Sequence, residues 1–475
     1  MSRKHTKRSS STVPVRRGGL PVSQAGKTPS LTELNPHAAG IDVGATVHFV
    51  AVPEGADEVC VRSFGSFTAD LEGIADWLTQ CGVTTVAMES TGVYWIALYE
   101  VLERRGFHVV LAEASQIKKV PGRKSDVLDC QWIQRLHSFG LLRASFRPAD
   151  AIVVLRAYLR QRELLTQGAA QHTQHMQKAL EQMNVKLTEV LSDVTGQTGQ
   201  RIIDAILAGE RNPAVLARLR DSKCKHDAAT IALALQGNWR DEHLFSLRQA
   251  VELYRIYQHK IADVDQQIET YLATLTGHSD GTALPALPRR KRQKGRQEPA
   301  FDVRASLYRV TGVDLTSIDG IGPYAALQIV SEIGTDMTRC DTDKHFCSWL
   351  AVCPGVNKTG GRVKSKSGKT RPSANRVARV LRLCGQSLLR ADCALGAFAR
   401  RMRAKLGAPQ AITAVAHKLA KIVYGMLKYG KAYVDRGAEY YDQQYRQRLV
   451  EQVRRRAEQL GLRVSQPEPS ATTPT

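Results

Sequence analysis

The succession of predicted strands and helices between residues 38 and 137 constrains the fold of this chain more than any other feature of its sequence. Short apolar runs bounded by glycine predict strands, and apolar residues repeated every three or four positions predict helices. The predicted order is three strands, a helix, a strand, a helix, a strand and a final helix. The strands are expected over 39–43, 47–52, 58–64, 83–88 and 107–112, and the helices over 69–81, 94–105 and 125–137. This alternation predicts an α/β domain.

This is the order of the ribonuclease H-like, or resolvase-like, fold, and acidic residues fall at the ends of its elements. Asp42 lies on the first strand, and Glu89 directly follows the fourth strand, which in this topology lies beside the first. Asp126 and Asp129 are three residues apart on a helix, so they project from one face. We therefore predict that four carboxylates converge at one end of the sheet.

Carboxylates gathered in this way repel one another unless cations neutralise them. Two Mg²⁺ ions about 3.5–4 Å apart would relieve the repulsion and bind a phosphodiester between them. Lys124, just before the predicted helix, is expected to contact the phosphate. The alternative is that each acidic residue is a solvated surface charge, which is the usual explanation for an isolated aspartate. The joint placement of all four favours the metal site.

The net charge of +22 predicts a polyanionic partner. No apolar run approaches the roughly 18 to 20 residues that cross a bilayer, and no apolar segment follows the basic first residues as in a secretory signal. Nucleic acid is therefore the expected partner, and the cytosol is the expected location. The nine cysteines form no Cys-x-x-Cys pair, which predicts reduced thiols rather than disulfides or a zinc site.

Shifts in composition divide the remainder of the chain. The middle region carries a heptad seam, which predicts long antiparallel helices or a coiled-coil dimer arm. The seam residues are Tyr257, Ile261, Val264, Ile268, Tyr271 and Leu275. The predicted segments are a disordered basic arm (1–34), the α/β domain (35–149), the helical region (150–276), a basic linker (277–300), a mainly helical C-terminal domain (301–433) and a charged, then disordered, tail (434–475).

Two features of the C-terminal domain predict contacts with nucleic acid. The turn Gly320-Ile321-Gly322 would present backbone N–H groups at a helix N-terminus to a phosphate, although such turns also serve as simple helix punctuation. Between Asp343 and Asp392 there is no acidic residue but eleven Lys or Arg, which favours a loop lying on a nucleic-acid backbone. The residues expected to contact it are Lys358, Gly360, Arg362, Lys364, Lys366, Lys369, Arg371 and Arg376.

Taken together, these motifs resemble the DEDD transposases of bacterial insertion sequences, the insertion sequence 110 and 1111 group. The matching segments are 40–44, 88–94, 124–129, 318–322 and 349–354, with a further likeness over 411–424. The resemblance implies a resolvase-like N-terminal domain, a coiled-coil region and a C-terminal transposase domain. It also implies DNA as substrate, Mg²⁺ at the acidic cluster, a guide RNA, and homodimers or homotetramers with composite active sites.

The resemblance further implies a nucleophilic serine five residues after Pro354, where it forms a covalent link to DNA. This chain has Thr359 there, before Gly360. A threonine hydroxyl can attack phosphorus, although its β-methyl group crowds the approach and restricts χ1. Thr359 is the predicted nucleophile. The alternatives are that Ser365 or Ser367 has replaced it, or that this chain is impaired.

Three functions follow from these observations. The first is RNA-guided, Mg²⁺-dependent recombination of DNA through a covalent intermediate. The second is a junction-resolving nuclease in which a metal-activated water attacks and Thr359 is structural. The third is a decayed relative that binds nucleic acid without catalysis. The complete acidic set argues against decay.

Overall fold

The computed structural model describes residues 32–90, 92–117, 126–277, 283–286, 297–355, 357–359, 362–365, 370–430, 432–435 and 437–462. Nearly all of the predicted basic arm and the end of the predicted tail therefore lie outside the described residues. The chain divides into two compact units, residues 1–147 and 148–475. Among the helices that the structure describes, none is both long and apolar enough to span a bilayer.

A five-stranded mixed sheet forms the centre of the N-terminal unit. Its strands are β1 (Ala38–Val43), β2 (Val47–Ala51), β3 (Val61–Gly65), β4 (Thr85–Glu89) and β5 (His108–Ala112). The order across the sheet is β3-β2-β1-β4-β5, with β1 antiparallel to β2 and parallel to β4. The prediction that the fourth strand lies next to the first is confirmed.

Helices cover both faces of this sheet. They are α1 (Thr68–Gln80), α2 (Trp95–Arg104), the short α3 (Ala114–Ile117) and α4 (Asp126–Ser138). One face packs Ile41 and Met88 against α1 and α2 in the larger core. On the other face, Ala87 packs against Ile133 of α4. Because side chains alternate along a strand, consecutive residues within β1 point to opposite faces of the sheet, and so do consecutive residues within β4.

Two local predictions differ from the structure. The third strand begins at Val61 rather than at residue 58, because the Asp57 carboxylate accepts a hydrogen bond from the Val59 N–H at 3.1 Å and forms a turn there. Helix α1 runs from Thr68 to Gln80 with Phe67 as its N-cap, one residue earlier than the predicted 69–81. The Asp70 carboxylate accepts a hydrogen bond from the Phe67 N–H at 3.1 Å.

The C-terminal end of α4 is fixed to the beginning of β4. The hydroxyl of Thr85 lies 2.8 Å from Nε2 of His137, and the Ser138 carbonyl accepts hydrogen bonds from Leu34 and Asn35 at 2.8 and 2.9 Å. His137 is 4% exposed, and burial together with nearby His108 lowers its pKa from 6.5 to about 4. The imidazole is therefore neutral at this contact at pH 7.

We expect the N-terminal unit to lose stability as the pH falls from about 6.5 to about 4. The unfolded chain protonates His137 below its ordinary pKa, whereas the folded chain does so only near pH 4, so the unfolded state binds more protons in this window. The loss should reach on the order of 3 kcal/mol at the acid end. The protection factors of the α4 amides in the full chain, which correct for the pH dependence of intrinsic hydrogen exchange, should fall over this range. The His137→Gln variant should show a smaller pH dependence than the wild type, and an equal dependence would contradict the assignment.

The C-terminal unit is mainly helical. Its helices are α5 (Asp150–Gln182), α6 (Leu187–Val190), α7 (Gln197–Leu207), α8 (Pro213–Ala217), α9 (Ala228–Ala234), α10 (Asp241–Thr274), α11 (Val303–Thr311), α12 (Pro323–Ile333), α13 (Asp343–Trp349), α14 (Arg376–Ser387), α15 (Ala394–Leu406), α16 (Ala408–Tyr429) and α17 (Gly437–Gln459). A short antiparallel pair, β6 (Asn357–Thr359) and β7 (Arg362–Ser365), lies between α13 and α14.

Helices α5 and α10 form a long antiparallel hairpin within one chain. The predicted heptad seam faces α5: the Tyr257 ring stacks on His172 with centroids 5.4 Å apart, and Tyr271 meets Tyr158 at 5.9 Å. The structure therefore corresponds to the first of the two alternatives, long antiparallel helices, for this seam. Midway along the hairpin, Arg162 and Asp265 form an ion pair with Nε and Oδ1 2.5 Å apart, both less than 10% exposed.

The two ends of this hairpin belong to different cores. At the tip, α6 to α9 pack with the adjoining parts of α5 and α10 around residues such as Met176, Ile203 and Val251. At the base, Leu155 and Ile268 join the core formed by the C-terminal helices. The base of the hairpin thus shares one core with the C-terminal helices. The sequence predicts a linker, residues 277–300, between these two regions.

Candidate active site and nucleic-acid contacts

Asp42 and Glu89 lie on the same face and at the same end of the sheet. The parallel register pairs Gly40 with Ala87 and Ile41 with Met88, so the next position in this register places Asp42 beside Glu89. Gly40 and Ala87 lie on the face that α4 covers. Asp42 and Glu89 each follow one of them by two residues, so their side chains point to the same face. Glu89 is buried and Asp42 is half-buried.

Helix α4 runs antiparallel to β1 and β4, which brings its first turn to the ends of those strands. Its last turn contacts the start of β4 through His137, as described above. Halfway along, α4 lies directly on β1, because a Cβ placed on Gly40 would meet Gln134 N at 2.1 Å and Cys130 O at 2.5 Å. The first turn of α4, from Asp126 to Asp129, therefore lies towards Asp42.

The electrostatics of Cys130 support this arrangement. Its thiol is fully buried against β1, and burial is the main reason that its pKa rises from 9.0 to about 12. The negative charges of Asp42 and Asp129 raise it further, so both carboxylates lie close to this sulfur. Asp129 is half-buried, whereas only the backbone of Asp126 is described. The structure thus brings Asp42, Glu89 and Asp129 towards one end of the sheet.

The chemistry of this donor set suits divalent cations that prefer oxygen ligands. Carboxylates from two strands and one helix provide hard oxygen donors, which bind Mg²⁺ in preference to softer metals. The first turn of α4 adds the positive end of a helix dipole at this end of the sheet.

For the predicted nucleophile, Thr359, and the neighbouring residues of β6 and β7, the structure describes the backbone alone. Thr359 ends β6 and pairs with Arg362, the first residue of β7. The side chains of Lys358, Thr359, Arg362, Lys364 and Ser365 are not described. Lys124, Gly360, Lys366, Ser367 and Lys369 lie outside the described residues. Their assigned roles stay predictions.

Of the basic residues predicted to contact nucleic acid, Arg371 and Arg376 have described side chains, and both contact protein. Arg376 pairs with the Glu163 carboxylate of α5, and its Nε lies 3.9 Å from Glu332. The Arg371 Nη2 donates to the Ser348 carbonyl at 3.4 Å. Arg371 remains exposed, so it is better placed than Arg376 to reach a phosphate.

The Gly320-Ile321-Gly322 turn has a structural explanation. Gly320 has φ of +86°, and a Cβ there would lie 2.7 Å from the Leu388 side chain. Gly322 is the N-cap of α12. The turn itself therefore requires glycine at position 320. The neighbouring Asp319 places a carboxylate beside the turn, which works against a phosphate at this position.

Sequence reasoning missed a group of potential ligands in the C-terminal unit. The ligand atoms of Asp319, Cys393 and Asp435 all lie within 4.8 Å of one another. Asp435 already accepts backbone hydrogen bonds from Ala394 and Gly437, each at 3.1 Å. The group is therefore explained as a fixing point for the chain after α16. No signal of spacing could have revealed it, because its members come from three distant segments.

Comparisons with known proteins identify two regions of the chain. A family model described as a transposase of the DEDD type of insertion sequence IS110 matches residues 39–185. A second model, described as "Transposase IS116/IS110/IS902 family", matches residues 314–400. No protein of curated function matches the chain. The first match contains Asp42, Glu89 and α4, and the second contains Gly320 and Thr359.

Proposed function

Because the chain belongs to the IS110 family of transposases, we propose that it cuts and rejoins DNA with a ribonuclease H-like DEDD site in its N-terminal unit. The observation that carries this proposal is the placement of Asp42 beside Glu89 beneath the start of α4. The strand order and the crossing of α4 over β1 and β4 support the ribonuclease H-like assignment.

In this proposal Asp42, Glu89, Asp126 and Asp129 hold divalent cations, most simply two Mg²⁺ ions. Bound ions would withdraw charge from the phosphodiester and stabilise the oxygens that attack and leave phosphorus. The chain's own contribution is rigidity: two neighbouring strands and one helix fix the carboxylates before DNA binds. Lys124, two positions before Asp126 in the sequence, supplies a positive charge that contacts the phosphate.

The proposed nucleophile is the Thr359 hydroxyl. Its oxygen forms a bond to phosphorus, one bridging P–O bond of the DNA strand breaks, and the proton passes to the departing DNA oxygen. Rejoining reverses these events, because a DNA hydroxyl attacks the phosphothreonine and releases the threonine. The energy of the original phosphodiester is kept in the covalent link, so no external energy source is required.

Replacing Thr359 tests this step against the nuclease alternative. We expect Thr359→Ala to abolish strand joining and the covalent adduct, and Thr359→Ser to retain both, because serine supplies the same hydroxyl without the crowding methyl group. The measurement is denaturing electrophoresis of labelled DNA, followed by mass spectrometry of the trapped peptide. An adduct on Ser365 or Ser367 would reassign the nucleophile, and undiminished cleavage by Thr359→Ala would favour water.

We also propose a guide RNA and a homodimeric or homotetrameric assembly. The strong positive charge and the likeness to the family support this part, which is independent of the acidic site. The test is extraction of RNA from the purified protein after expression with the DNA that flanks its gene. A bound RNA that pairs with the junctions of the element supports guidance, and its absence removes this part alone.

A further inference from the structure

Three cations converge where α15, α16 and α17 meet, outside every site considered so far. They are Arg401 of α15, Lys418 of α16 and Arg448 of α17, here called the α15–α17 cation cluster. Lys418 is half-buried. Burial, followed by the charges of Arg401 and Arg448, lowers its pKa below the usual value. The positive charges therefore lie close enough to repel one another.

Aromatic rings hold this cluster together. The Arg401 guanidinium carbon lies 3.8 Å from the centroid of the Tyr445 ring and 5.0 Å from that of Tyr441. The Lys418 ammonium lies 4.6 Å from the Phe398 ring and 5.2 Å from that of Tyr441. Ring faces attract cations without neutralising them, so the site keeps its positive charge.

The cluster lacks acidic partners. Between Asp392 and Asp435, the stretch that includes α15 and α16, the sequence has eight Lys or Arg and no Asp or Glu. Helix α17 does carry acidic residues, Glu439, Asp442, Glu451 and Glu458, but none of these four described carboxylates forms an ion pair with the cluster. Two other basic residues of α16 are engaged with protein groups: Lys421 pairs with Asp343 at 2.8 Å, and Lys428 donates to the Cys340 carbonyl at 2.8 Å. None of the three cluster residues forms an ion pair with a described carboxylate, and Arg448 is exposed.

We propose that the α15–α17 cation cluster is a second nucleic-acid contact, which binds the phosphodiester backbone while Tyr445 offers a ring surface to a base or sugar. Cations beside partly exposed tyrosines form the combination that binds nucleic-acid strands without reading their sequence, and Tyr445 is 39% exposed. Both DNA and RNA carry this backbone. The proposal rests on the proposed function only in assuming that the chain meets nucleic acid.

The test compares salt dependence of binding. The full chain and its Arg401→Gln/Arg448→Gln variant are titrated with a random-sequence DNA duplex and with an RNA duplex of the same length. Loss of two phosphate contacts should reduce the slope of log affinity against log salt concentration by about 2. A change with DNA alone assigns the site to DNA, and a change with RNA alone assigns it to RNA. An unchanged slope for both overturns the proposal.

Control variants separate binding from folding. Arg104→Gln/Arg255→Gln removes two exposed arginines that already pair with Glu72 and Asp204, so it should leave the slope nearly unchanged. Arg401→Lys keeps the charge and should preserve the slope even if α17 docks less firmly. If Arg401→Lys loses as much as the double glutamine variant, the cluster only packs helices and the proposal fails. The Asp42→Asn protein should bind with the wild-type slope, so a failed active-site proposal leaves this result interpretable.

Discussion

DNA strand cleavage should fall by at least about 10³-fold in Asp42→Asn and in Glu89→Gln, because each removes one negative charge from the proposed metal ligands while nearly preserving side-chain shape. A bound cation contributes several kcal/mol of charge stabilisation in the transition state, and each 1.4 kcal/mol corresponds to about a tenfold change in rate. The measurement is single-turnover cleavage of labelled element ends at saturating Mg²⁺. Binding of DNA should change little, because the proposed contacts with the DNA backbone lie on basic residues elsewhere.

The matched control is Glu54→Gln, which makes the same chemical change at an exposed carboxylate after β2. It should cleave at nearly the wild-type rate. If Glu89→Gln cleaves as fast as Glu54→Gln while folding normally, the acidic site is not the catalytic centre. Because that comparison uses folded proteins of equal charge, neither misfolding nor a general weakening of DNA binding can account for a difference.

Gly40→Ala should destabilise the N-terminal unit by about 3 kcal/mol and abolish cleavage, although it adds a single methyl group. The new carbon would lie 2.1 Å from Gln134 N and 2.5 Å from Cys130 O, which are backbone atoms that cannot rotate away. Relief requires α4 to move off the sheet, and this displacement carries Asp129 away from Asp42. Urea unfolding and the cleavage assay measure the two effects.

Gly73→Ala is the control for this substitution. Gly73 lies in α1 with no atom near its missing Cβ, so alanine should raise stability by up to about 1 kcal/mol through helix propensity. Cleavage should be unaffected. A Gly40→Ala protein that is as stable and active as Gly73→Ala would show that α4 does not pack on β1 as described.

The sheet and its acidic end were predictable from sequence because both depend on local patterns. Apolar alternation marked the strands, and the element order sufficed to place β4 beside β1. The convergence of α4 on Asp42 depends further on Gly40, whose missing side chain permits close approach. The strand boundary near Asp57 was missed, because a single carboxylate that bonds to nearby backbone is stronger than a weak alternating pattern.

The C-terminal sites were less predictable because they depend on tertiary contacts. Arg376 was indistinguishable in sequence from its basic neighbours, yet Glu163, more than two hundred positions earlier, pairs with it. The α15–α17 cation cluster likewise combines one residue from each of three helices. The absence of acidic residues between Asp392 and Asp435 was a visible signal of that cluster, but periodicity alone could not show which cations come together.

The tip of the α5–α10 hairpin has an apolar core of its own, which affects how freely its sequence can vary. Residues 186–313, which neither family match includes, contain α6 to α9, and these helices enclose their own apolar centre. The packing around Leu155 and Ile268 at the hairpin base belongs to the other core. We therefore expect sequence changes confined to α6–α9 to be tolerated between related transposases without disturbing the core of the C-terminal helices.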